Sequence, residues 1–350
     1  MTDNQTFSAA RIPPVCGFNL LEMFSYSAEN PHGQPFQEWD FDFMARHGFR
    51  FARLPLDYRV WTRDLDGPRL QIDEAILDRL AQAVRLGQER GIHVCVNIHR
   101  APGYCINQPE LEPFNLWTDP TAVEAFAFHW RAIAERVKEF SSQACSLDLL
   151  NEPPNYGDLG FTPESHRRVM AATVAAIRQV SPDRLIICDG ANVGTKPAFE
   201  LADLGVAQST RGYAPWQLTH YKASWVNKPA DYDWPQPQWP VRYRDARFGA
   251  PYDLEGLRDL YRPWQELVER GIGVHCGEYG IFSTVPADVA HAFIDDLLTV
   301  LGECGWGWAL WNLRGSFGIL DHDRPGVKWE ACAGHRLDRG LLEILKSHVI

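Results

Sequence analysis

Short apolar runs alternate with longer amphipathic stretches along all 350 residues, and eight of the runs read as strands. That alternation constrains the fold more than any other feature. Strands are expected at Val15–Asn19, Phe49–Leu54, Ile92–His99, Ser146–Asn151, Leu185–Asp189, Trp216–His220, Gly271–Glu278 and Gly305–Asn312. Pro55 and Pro153 are read as stops for the second and fourth. Helices are expected at Glu38–His47, Asp73–Arg90, Pro120–Phe140, Pro163–Val180, Leu254–Arg270, Pro286–Glu303 and Arg339–Lys346. Apolar Ile76, Leu77, Leu80 and Val84 give the second of these its period, and Thr162 stands at the N-cap of the fourth. Parallel strands need helical crossovers. Eight strand–helix units in order therefore point to an α/β chain, a (β/α)8 TIM barrel in one domain over residues 1–350. The departure from the pattern is a long aromatic and Pro-rich loop at about 205–253.

Composition narrows the function. Net charge is −11, with no basic stripe, so a nucleic-acid partner is not expected. No apolar run reaches the roughly 18–20 residues of a membrane span. The first 14 residues lack a basic segment followed by an apolar one, so the expectation is cytoplasmic, or secreted if a leader was removed. The eight Cys are scattered with no zinc-ligand spacing, and free thiols are expected. Neither a metal nor a cofactor is called for. The 13 Trp fit either a large core or a cleft of flat apolar faces suited to sugars.

In such a barrel, chemistry sits at the C-terminal strand ends. Here those ends carry Arg53, His99, Asn151-Glu152, His220-Tyr221, Glu278 and Trp311-Asn312. Glu152 and Glu278, on the fourth and seventh strands, would face each other across the mouth. Retaining glycosidases need two carboxyl groups about 5–5.5 Å apart, one as acid/base and one as nucleophile. Arg53 could hold Glu278 ionised, since an opposite charge within about 4–6 Å favours the charged form. Asn151 could bind a sugar 2-hydroxyl. Each also has a structural reading: Arg53 as a core ion pair, His99 and His220 as hydrogen-bonded strand ends, Trp311 as packing under the rim.

The set Arg53, His99, Asn151-Glu152-Pro153, His220, Glu278 and Trp311 resembles glycoside hydrolase family 5, the cellulase-like retaining glycosidases, over nearly the whole chain. The resemblance implies Glu152 as acid/base, Glu278 as nucleophile and Trp311 as the floor under the sugar at the cleavage point. His99 and His220 would bind that sugar or tune the glutamates. Members carry His-x-Tyr on strand six, with the Tyr hydroxyl on the nucleophile. This chain has His220-Tyr221-Lys222 in the run assigned to that strand. Either Tyr221, Tyr279 or another residue takes the role.

The expected partner is a carbohydrate, and nothing sets the oligomeric state. A stiff aromatic loop walling one end of a cleft would favour release of end units from a short β-linked glycoside. The alternative is endo-acting cleavage of a β-glucan or mannan. A metal-dependent hydrolase using His99, His220 and Asp321 lacks the His-x-His or His-Glu-x-x-His that such sites carry. A sugar-binding protein without catalysis would not need both glutamates.

Overall fold

The computed structural model describes residues 7–107, 112–226, 228–241 and 252–350. Strands β1 (Cys16–Asn19), β2 (Phe51–Asp57), β3 (His93–Arg100), β4 (Cys145–Asp148), β5 (Ile186–Asp189), β6 (Ala207–Gly212), β7 (Val274–Tyr279) and β8 (Trp308–Leu310) close into a barrel. Each is parallel to the next, and β8 returns to β1 through Cys16 beside Trp308. Around them lie α1 (Glu38–Arg46), α2 (Glu74–Glu89), α3 (Pro120–Val137), α4 (Pro163–Arg178), the single turns α5 (Ala191–Gly194) and α6 (Trp216–Thr219), α7 (Leu254–Glu269), α8 (Ala287–Glu303) and α9 (Arg339–Ser347). An antiparallel hairpin, β9 (Trp329–Cys332) with β10 (His335–Asp338), precedes α9 and has no counterpart in the expected elements.

Local chemistry starts the helices where the sequence suggests. Asp73 caps α2 by accepting from the Ile76 amide, and Thr162 with Ser165 forms a reciprocal capping box on α4. Ile76, Leu77, Leu80 and Val84 are buried on the barrel side of α2. The eight cysteines are all free. Among the described residues no helix is long and apolar enough to cross a membrane.

Two strand expectations fail for physical reasons. Pro55 does not stop β2, which runs on to Asp57. In a parallel strand the amide and carbonyl of one residue point to the same neighbour. The Arg53 carbonyl accepts from Leu20, on the β1 side, so the Pro55 nitrogen faces that side too. The ladder with β1 ends at Asn19–Arg53, so the donor that proline lacks would have had no strand to bond. Strand six is not Trp216–His220 but Ala207–Gly212, inside the segment expected to be loop. Parallel strands usually read as apolar runs. This one is polar because its buried side chains are paired: Gln208 exchanges both amide bonds with the Ala198 backbone, and Arg211 meets carboxylates. The remaining loop expectation includes residues 242–251, which lie outside the described residues.

Of the tryptophans in and beside that segment, Trp264 is buried, Trp239 packs on Phe293 and donates to Asp296, and Trp234 packs on Tyr221. Trp216 and Trp225 stay exposed, at 39% and 56%. The loop thus makes a small core of its own and also leaves two apolar faces in water.

Candidate active site

The mouth of the barrel holds two buried guanidinium groups among four carboxyl groups. Arg53 lies inside β2 with its side chain in the barrel. It donates to Asp148 at 2.8 Å, to Asn19 and Asn151 at 3.0 Å each, and through Nη1 to Glu278. Arg211, on β6, donates through Nε to Glu152 at 3.0 Å and through Nη1 to Asp189 at 3.1 Å. Its Nη2 bonds the other Asp189 oxygen, reaches Asn151 Oδ1 at 2.8 Å and stands 3.5 Å from Glu278. One guanidinium therefore touches both expected catalytic carboxylates. Asn151 accepts from both arginines, so its amide orientation is set by charge on either side.

The strands position these groups simply. After β4 the chain stays extended: the Leu149 amide bonds Ile187 of β5 and the Asn151 amide bonds Ile98 of β3. At Glu152 the backbone turns into the left-handed region, with φ of 48°. A non-glycine residue there costs of order 1–3 kcal/mol and persists only when its surroundings hold it. Three do: the Asp189 carboxylate takes the Glu152 amide at 2.8 Å, the Tyr104 hydroxyl donates to its carbonyl at 2.6 Å, and Arg211 holds its side chain. The Glu152 carboxyl is pushed up to about 8 by burial first and the Glu278 charge second, against the pull of Arg211.

The other expected site residues divide. His99 lies beside the pair, its Nδ1 4.0 Å from Glu278. Burial, with Arg53 and Arg211 nearby, pushes it well below the ordinary imidazole range, so it stands neutral. Trp311 stacks on His99 at 5.4 Å and meets Phe24 edge-on at 5.3 Å, half-buried at the rim. His220 caps the end of α6 with its ring 5.1 Å from Tyr213, and burial lowers it to about 4. Tyr221 does not reach the glutamates: it is buried against Trp234, and its carbonyl accepts from Thr284. The hydroxyl on Glu278 belongs to Tyr213, at 3.1 Å. Because β6 ends at Gly212, the rim falls at Tyr213 and the sequence there reads Arg211-Gly212-Tyr213. Tyr279 points away from the mouth toward Trp308.

Sequence reasoning missed Arg211, Asp148, Asp189, Tyr213 and Asn19. A signal existed for most of them. Asp148 interrupts an apolar strand, Asp189 and Asn19 end strands, and Arg-x-Tyr repeats the spacing of His-x-Tyr. Among the described residues no cluster of His, Cys, Asp and Glu could hold a metal, and Asp321 pairs with His335 far along the chain from His99 and His220. Beside the mouth a cavity of about 390 Å³ opens between the loops after β1 and β8, lined by Asn19, Glu22, Asn30, Gln34, Gln37 and Asn312 among others.

Known proteins resemble this arrangement in sequence and shape. Residues 17–316 match the model of cellulase, glycosyl hydrolase family 5. Endoglucanase C of Acetivibrio thermocellus is 24% identical over 316 residues, covering 84% of this chain and 88% of its own. A crystal structure described as a glycoside hydrolase superposes with a TM-score of 0.89 at 40% identity, over 97% of this chain and all of that one. Cel5A of Thermotoga maritima in complex with mannotriose shares the fold, with a TM-score of 0.73 at 20% identity over 95% of this chain and 97% of its own. With the eight-stranded barrel already closed around paired glutamates, the family match settles the class: this chain belongs to glycosyl hydrolase family 5 and is a retaining glycoside hydrolase acting on carbohydrate.

Proposed function

We propose that the enzyme cuts internal β-linkages of a glucan, with Glu152 as acid/base and Glu278 as nucleophile. The observation that carries the chemistry is the shared guanidinium: Arg211 touches both carboxyl groups, and burial beside Glu278 keeps the Glu152 proton on. In the first step the Glu278 carboxylate bonds to the anomeric carbon, the bond to the aglycone oxygen breaks, and the Glu152 proton goes to that oxygen. In the second, a water gives its proton to Glu152 while its oxygen displaces Glu278 from the sugar. Tyr213 and Arg53 donate to Glu278 and align it for attack. Trp311, stacked on His99, offers a flat apolar face to the sugar ring. Asn151, Arg53 and neutral His99 supply polar atoms around the same point.

The endo reading replaces the end-unit release expected from the aromatic loop. It is supported by the endoglucanase name of the relative that aligns over most of both chains, and by the cavity between the loops after β1 and β8, which reaches the site at Asn19, an acceptor for Arg53, and has room for a further sugar. Following viscosity and reducing ends together on a soluble β-glucan tests it, with mannan as a second polymer. A steep fall in viscosity at few new ends supports internal cleavage. Ends that accumulate at nearly constant viscosity would return the argument to exo action.

A further inference from the structure

We infer that Arg211 is the positioning residue that serves Glu152 in both its acid and its base role, its fixed charge facing the anion on Glu278 before the first step and the anion on Glu152 before the second. This rests on the proposed roles of Glu152 and Glu278.

The geometry is specific. Arg211 lies on β6, two residues before the Tyr213 whose hydroxyl donates to Glu278. It brings a fork that cannot lose its proton. Its three nitrogens divide the work: Nε on Glu152, Nη1 on Asp189, Ser209 and the Thr210 carbonyl, and Nη2 on Asn151 and Asp189 with Glu278 at 3.5 Å. Its side chain is 1% exposed and that of Asp189 0%. Asp189 also takes the Glu152 amide, so a single carboxylate holds both the backbone of Glu152 and the arginine on its side chain. Gly277 makes room: a Cβ there would run into Ser209 Oγ and stand 3.2 Å from Arg211 Nη1.

The charges balance across the cycle. Before reaction Glu278 is the anion near Nη2 and Glu152 holds its proton. When the glycosyl-enzyme forms, Glu278 becomes a neutral ester and Glu152, having given its proton to the leaving oxygen, becomes the anion on Nε. The guanidinium faces one catalytic anion in each state without moving, which steadies Glu152 as a base once its neighbour's charge has gone. The other groups facing Glu152 are Asp189 from β5, Tyr213 just after β6, Glu278 from β7 and Tyr104 after β3. Of these only Asp189 is a charge the reaction leaves unaltered.

The test compares Arg211→Met, Arg211→Lys and Asp189→Asn with wild type and Glu152→Ala, on an aryl β-cellobioside with a good leaving group and one with a poor one. For Arg211→Met the inference expects a burst of the good leaving group followed by slow turnover, roughly 10–100-fold below wild type, because the base step is impaired. Azide, which needs no base, should restore the rate. The alkaline limb on the poor substrate should move up by about one pH unit or more, since a nearby positive charge is lost. Arg211→Lys should keep both behaviours within a few-fold. Asp189→Asn should move the limb the other way, downward. A uniform loss on both substrates, with no burst, no azide effect and no limb shift, would overturn the inference and leave Arg211 a structural ion pair. Should Arg211→Met fail to fold, the limb of Asp189→Asn decides: unmoved or raised, it overturns the inference. Azide rescue of Glu152→Ala checks the underlying roles separately. If it rescues and Arg211→Met shows none of these signs, the inference alone falls; if Glu152→Ala shows no rescue, the acid/base reading falls with it.

Discussion

The same strands build two polar layers inside this barrel, and the layers treat charge in opposite ways. At the floor, His93 and His275 flank Phe51, with ring centroids 5.6 and 4.4 Å from it, and Phe7 stacks on His93. Burial pushes His93 down to about 4 and His275 to about 3, so both are neutral and hydrogen-bonded to backbone or to Ser146. At the mouth, Arg53 and Arg211 stand among buried Asp148, Asp189 and Glu278 and the partly buried Glu152. Two cations cannot neutralise four carboxylates, so the surplus repels itself and at least one proton is retained. The floor shows what packing does with an ionisable group, which is to discharge it. The mouth keeps its charges against the cost of burial, a cost that stability alone does not explain.

The largest expected effect separates the layers outright. Glu278→Ala should lower turnover by roughly 10^4-fold or more, as removal of a nucleophile does, while the thermal unfolding midpoint holds or rises because one of the surplus carboxylates is gone. A folded variant with near wild-type activity would break the assignment of the mouth to catalysis. Glu152→Gln comes next, with a loss of about 10²–10⁴-fold that is greatest for poor leaving groups. The same residue sets a pH dependence in wild type. Glu152 must carry its proton to donate it, so kcat/KM should fall as pH rises through about 8. A pH–rate profile whose alkaline limb lies at ordinary carboxyl values would sink that reading.

Arg53→Met is the third. It strands Asp148, whose carboxyl is itself raised by burial and by Asp189, and it frees Glu278 from its closest donor. Removing one partner of a buried pair costs about 3–5 kcal/mol, so denaturant unfolding should show a loss of that order together with lost activity. Retained stability would mean that Asp148 takes up a proton and needs no arginine.

The contrast also explains what could be read in the sequence. Strands such as Ile186–Asp189 and His93–Arg100 are apolar where they face helices, and their period announced the barrel. Glu152 and Glu278 were legible because each ends such a run. Strand β6 was not, because Gln208, Ser209, Thr210 and Arg211 satisfy one another and their neighbours only after closure, and a polar run gives no local sign of burial. The error then spread: with strand six placed at Trp216–His220, Tyr221 took the place that belongs to Tyr213. Pro55 misled for the opposite reason, since a missing donor costs nothing where the neighbouring strand has already ended.

The smallest effect tests the floor. His93 sits flat between Phe7 and Phe51, tilted 7° and 2° from them, so a phenylalanine ring in its place would find the same slot. What His93→Phe removes is polar: the Gln143 carbonyl loses a partner at 2.9 Å and the Ser146 hydroxyl one at 2.7 Å. Leaving such groups unpaired costs about 1–3 kcal/mol. Turnover should not change, because His93 opens β3 at the end of the strand away from His99 and the glutamates. The urea midpoint should therefore fall while kcat, measured well below the transition, stays within a factor of two or so. If kcat falls instead while the urea midpoint holds, the two layers are coupled through the strands and the division between a packed floor and a working mouth fails.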